Sequence, residues 1–72
     1  MDDTLQAARA AFQQRFQDLA TQCRQNHAAW QEAVRVHDRP RQSALIARER
    51  ELLTDVQEVI AAFQATIAQR HW

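Results

Sequence analysis

Three kinds of side chain in this sequence could do chemistry: one cysteine, Cys23, three histidines, His27, His37 and His71, and nine carboxylates. Cys23 and His27 stand four residues apart, about one helical turn, and no two histidines are that close. Zinc usually takes four ligands, so neither a metal site nor a cofactor is expected. Cys23 falls on an apolar stripe, where a cysteine more often packs as a small apolar group than acts as a nucleophile. The remaining constellation is Asn26, His27 and Glu49. As chemistry it would be an acid–base pair, but no second carboxylate, serine or Gly-rich loop converges on it, so no enzyme is expected. As structure it is a polar layer that fixes the register of paired helices, as in coiled coils. That is the reading adopted.

The elements that must position these residues are helices. The chain has 72 residues, no Gly and a single Pro, Pro40. Folds built mainly of strands need turn residues, which are nearly absent here. Ala, Gln, Arg, Glu and Leu are abundant, and all favour helix. The pattern breaks only across Val36-His37-Asp38-Arg39-Pro40-Arg41-Gln42. Pro40 fits the first turn of a helix and disfavours helical geometry at Arg39. The expected fold is all-α, an antiparallel, coiled-coil-like two-helix hairpin in one domain. One helix should cover about 3–37, a turn about 38–40, and a second helix about 40–70. Asp38 is the expected cap of the second helix. Asp2 or Asp3 should open the first, with Gln6 completing a capping box. Acids there, and Arg35 and His37 at the other end, suit the helix dipole, as do Arg70 and His71 for the second helix.

The first helix repeats Leu5, Ala8, Phe12, Phe16, Leu19, Cys23, Trp30 and Val34 at steps mostly of three and four. The second repeats Leu45, Ile46, Leu52, Leu53, Val56, Val59, Ile60, Phe63 and Ile67. At ~100° per residue the second set spans an arc of about 140°, wider than a two-stranded seam needs. With a turn near 38, residues whose numbers sum to about 77 should face each other, which sets Asn26 or His27 against Glu49. Ile46, Leu53 and Ile60 at one edge of the arc are assigned to the seam. Leu45, Leu52, Val59 and Phe63 toward the other are assigned to a partner, and the two assignments can be exchanged. Val56, Phe16 and Trp30 join the partner-binding set. Trp72 has Leu5 as its nearest internal candidate.

A chain this short has little apolar burial to set against its ordering entropy. The uncovered edge should therefore meet a second copy or another protein. Net charge is zero, and all nine cations are arginines. No clustered cations suggest nucleic acid or an anionic membrane. Arg39 and Arg41, set at the positive end of a helix, are either solvated or face acidic groups on a partner. A lone cysteine, an acidic start without a leader-like apolar run, and the lack of a spanning segment suggest a cytoplasmic protein.

The segment Pro40-x-Gln42-x-x-Leu45-x-x-Arg48-Glu49-x-x-x-Leu53-x-x-Val56-x-x-Val59-Ile60 resembles the start of the second helix of the small E-type co-chaperones of type III secretion needle subunits. It covers about a third of the chain, and size and hairpin layout are similar. Asp38-Arg39-Pro40 stands where that family has a Gly-containing connection, and the first helix is longer. The resemblance implies a bacterial cytoplasmic co-chaperone. It would pair with a larger, tetratricopeptide-like helical chaperone and, through it, keep a needle subunit soluble. A homodimeric four-helix bundle with an adaptor or regulatory role is the alternative.

Overall fold

The computed structural model describes residues 3–71, with side chains as far as Gln69. It contains two helices, α1 (Asp3–Arg35) and α2 (Arg39–His71), of 33 residues each. At ~1.5 Å per residue each is about 50 Å long, and the Cα envelope measures 55 × 16 × 9 Å. The molecule is an antiparallel helical hairpin, two helices wide and one helix thick, and no strand occurs among the described residues. The expected contact of Trp72 with Leu5, the Asp2 cap and the Arg70 and His71 side chains lie outside the described residues.

The connection, residues 36–38, comes about two residues earlier than the sequence pattern suggests. α1 ends at Arg35 rather than near 37, and α2 starts at Arg39, which is helical despite preceding Pro40. The hydrogen bonds give the reason. The Asp38 amide donates to the Ala33 carbonyl at 2.9 Å and the His37 amide to the Val34 carbonyl at 3.1 Å. These are the paired bonds of a Schellman motif, which requires a left-handed residue at its corner. His37 supplies it with φ 59°, a conformation that costs a residue with a Cβ. Asp38 then opens α2. Its carbonyl accepts from the Gln42 amide at 3.0 Å and its carboxylate from the Arg41 amide at 3.2 Å. A carboxylate bonded to the third amide of a helix is an N-cap. Asp38 thus closes one helix and starts the next, and this cap holds Arg39 helical against the preference imposed by Pro40.

That shared residue sets the rotation of α2. Asp38 lies between the helices, so every seventh residue after it, Leu45, Leu52 and Val59, inherits the inward position. The seam of α1 is the row Leu5, Phe12, Leu19, Asn26 and Ala33, also seven apart. Ala33 meets Gln42, whose side-chain amide donates to the Ala33 carbonyl at 3.2 Å. Phe12 stacks on Phe63 with ring centroids 4.5 Å apart. These pairs sum to 75, not about 77, because the turn is centred between 37 and 38. Leu19, Ala33 and Leu52 are the buried apolar residues. The accessible surface is 5764 Å², whereas a compact monomer of this mass exposes about 4,600 Å².

Candidate protein-binding face

The polar layer is made by two of its three candidates. Asn26 is buried, and its Nδ2 donates to Glu49 Oε2 and to the Leu45 carbonyl, each at 3.0 Å. Glu49 is half-buried. The Leu45 carbonyl belongs to the turn of α2 that ends at Glu49, so a single amide fixes both the axial register and the rotation of the two helices. His27 does not join them. It lies one residue, about 100°, further round α1, is exposed, and stacks on Trp30 with centroids 6.2 Å apart. A further cross-helix bond, from Arg48 Nη2 to Gln22 Oε1 at 2.8 Å, has no sign in the sequence because neither residue interrupts an apolar row. Among the described residues no three His, Cys, Asp or Glu side chains come together as metal ligands would.

The two edges of the α2 arc are exchanged relative to the first assignment. Leu52 is buried, and Leu45, Val56, Val59 and Phe63 are half-buried along the seam. Five of the expected partner-binding residues therefore hold the hairpin together. Leu53, Ile46 and Ile60, expected inside, are 51, 46 and 36% exposed. The cause is the phase fixed by Asp38: each of these residues follows an inward residue by one position and so turns out of the seam. Phe16 is exposed and Trp30 half-buried, which leaves both accessible outside the seam.

The large apolar residues left outside the seam share one broad side, with Phe16, Ile46, Leu53 and Ile60 exposed and Cys23, Trp30 and Ile67 half-buried. On α2 they form the row Ile46, Leu53, Ile60 and Ile67, seven residues apart; on α1 the row Phe16, Cys23 and Trp30, also seven apart. Trp30, His27 and Ile46 border one cleft of about 240 Å³, floored by Asn26, Leu45 and Glu49. Val34 and Ile46 border a neighbouring hollow at the turn end. The opposite broad side is mixed: toward the open end it has a hollow of about 310 Å³ lined mainly by Ala8, Ala11, Phe12, Val59, Ala62 and Phe63. Near its middle it presents Gln22, Gln25 and Arg48. The heptad positions of Asp18, Glu32, Glu51 and Glu58 put them toward that side, and all four are exposed. One of them, Glu32, is hydrogen-bonded by the Arg35 guanidinium, which holds its carboxyl below the ordinary value of 4.5; Arg41 adds to this. The rows flanking the apolar side, Gln13, Ala20, His27 and Val34 on α1 and Ser43, Arg50, Gln57 and Gln64 on α2, contain no acid.

An apolar patch that covers several turns of both helices and has a polar rim marks an interaction surface rather than ordinary exposed side chains. No helix among the described residues is long and apolar enough to cross a membrane. No protein-family model matches the chain, and no curated protein or solved structure matches it either.

Proposed function

We propose that the protein acts by binding another protein, laying its apolar broad side against helices of the partner. The observation that carries this reading is the row Ile46, Leu53 and Ile60, large side chains left between 36 and 51% exposed at a strict seven-residue spacing. Fully burying one such side chain is worth roughly 1.5–3 kcal/mol, so covering the row and its neighbours on α1 gives enough to offset the cost of association. The reading is of a non-catalytic, bacterial cytoplasmic protein.

In its finer form the proposal is a co-chaperone of type III secretion. The partner is then a larger tetratricopeptide-like chaperone, and the assembly keeps a needle subunit soluble. Support comes from the resemblance of residues 40–60 to the E-type co-chaperones, from the similar hairpin layout, and from the fact that the exposed row starts within that segment. The test is co-expression with the needle chaperone and needle subunit of the same organism, followed by size-exclusion chromatography. A stable complex of all three is expected, and Leu53→Asp with Ile60→Asp should drop this chain from it. Absence of the wild-type chain from the complex would refute the co-chaperone reading.

A further inference from the structure

We infer that, without another partner, the apolar broad side is covered by a second copy of this chain, and that the two hairpins lie head to tail, each turn over the other's open end. This inference rests on the reading of that side as a binding surface and names one occupant for it. Three observations support it.

The first is area. The broad side measures 55 by 16 Å between Cα extremes, a footprint of roughly 900 Å², close to the ~800 Å² per partner of a standard interface. The surface in excess of a compact monomer is of similar size, about 1,100–1,200 Å². One copy of a flat hairpin is the right size and shape to cover another, and the product is a four-helix bundle.

The second is the order of the layers. Residues of the two rows lie level across the hairpin when their numbers sum to about 76, close to the 75 of the seam. Phe16 is then level with Ile60, Cys23 with Leu53, and Trp30 with Ile46. The order is aromatic and Ile, Cys and Leu, aromatic and Ile, and it reads the same from either end. A two-fold axis across the Cys23–Leu53 layer sets each aromatic layer on the other's. Phe16 of one copy then fills the cleft beside Trp30 of the other. An interface of this isologous kind must be self-complementary, and this layer order is.

The third is charge. The turn end carries Arg35, Arg39 and Arg41 against Asp38 and Glu32, the latter bonded to Arg35. Packing two turns side by side would gather six arginines, whereas the head-to-tail order keeps the two turns apart. The flanking rows hold no carboxylate to be buried opposite another. Arg9 and Arg39 approach each other at the bundle ends in this order, so added salt should strengthen association by screening them.

The test uses the isolated chain. Sedimentation equilibrium should give a dimer. A short bismaleimide should join the two Cys23 thiols across the axis in high yield, because it bridges thiols without the strict geometry of a disulfide. Leu53→Asp should raise the dimer dissociation constant by more than about 100-fold, since each dimer loses two central leucines and gains two buried charges. Ile60→Ala, a milder change, should weaken it measurably with helicity retained. A wild-type monomer at all concentrations overturns the inference. A dimer whose thiols take a monofunctional maleimide yet do not crosslink overturns the head-to-tail order. Neither result touches the co-chaperone reading, which is decided in the presence of its own partners.

Discussion

Leu52 and Leu53 are neighbours of identical chemistry, and the structure assigns them opposite surroundings: one fully buried, the other half exposed. Truncating a buried leucine to alanine costs about 2–5 kcal/mol, depending on how far the site can collapse. The seam between two helices is open on both broad sides, so its walls can close in, and Leu52→Ala should fall in the lower half, about 2–3 kcal/mol. At roughly 0.05–0.15 kcal/mol per residue a chain of this size has about 4–11 kcal/mol in total, and one with three buried apolar residues among those described sits at the low end. The substitution should therefore remove about half of the stability. Leu53→Ala leaves the seam intact and should cost the isolated hairpin less than about 1 kcal/mol, because the side chain keeps much of its contact with water in the folded state. The assay is urea unfolding followed by circular dichroism over a range of protein concentrations. Dilution removes any contribution from association, so the Leu53→Ala deficit should shrink with dilution and the Leu52→Ala deficit should not. Equal deficits in the dilute limit would mean that the rotation of α2 derived from Asp38 is wrong.

His37→Gly should stabilise the hairpin by up to about 1 kcal/mol in thermal or urea unfolding, since glycine adopts the left-handed corner without a Cβ penalty; a loss would show that the imidazole makes a contact that outweighs it. Asp38→Ala should cost about 1 kcal/mol through the lost N-cap, with Asp38→Asn largely restoring it, and an unchanged midpoint would refute the cap. In an NMR titration the Glu32 carboxyl should protonate below 4.5. Because its folded value is depressed, its small contribution is complete above the ordinary carboxylate range and fades as pH falls through the lowered value. Both groups are exposed, so salt should weaken the effect.

Much of the fold was legible because the signals are local. The lone Pro40, the loss of apolar period across 36–42 and the caps fix two helices and a tight antiparallel connection. The facing of Asn26 and Glu49 follows from counting outward from the turn. The two edges of the α2 arc could not be told apart in the same way. Glu49 sits at the centre of that arc, with Leu45 and Leu52 on one flank and Ile46 and Leu53 on the other at equal angles. Periodicity is symmetric about such a centre, and the apolar content of the two flanks is nearly the same. What breaks the symmetry is the φ of His37 and the double use of Asp38, a backbone geometry without a glycine to announce it. A Schellman ending at a histidine gives no compositional sign, so periodicity places the turn about two residues late and leaves the rotation undetermined.

The same symmetry bears on why a weakly buried hairpin keeps a polar pair in its seam. With two apolar flanks of similar strength on α2, an all-apolar seam could be made by either, and the two packings would differ little in energy. Asn26 separates them. Its amide reaches both Glu49 and the Leu45 carbonyl, and turning α2 to bring Ile46 and Leu53 inward would carry that carbonyl away. The pair thus acts against an alternative packing, as a single buried Asn does in a coiled coil. The double change Asn26→Leu with Glu49→Leu should leave helicity unchanged and raise the thermal midpoint, equivalent to roughly 1–2 kcal/mol, since apolar residues usually pack more stably than a buried polar pair. The gain should come with loss of uniqueness. Sedimentation should show a mixture of oligomers, and the Cys23 crosslink expected for the wild-type dimer should fall in yield as both flanks compete for the seam. A variant that is more stable and still a single species with full crosslinking would show that the turn alone selects the packing. A variant that unfolds would show that Asn26 and Glu49 hold the helices together rather than choosing between their faces.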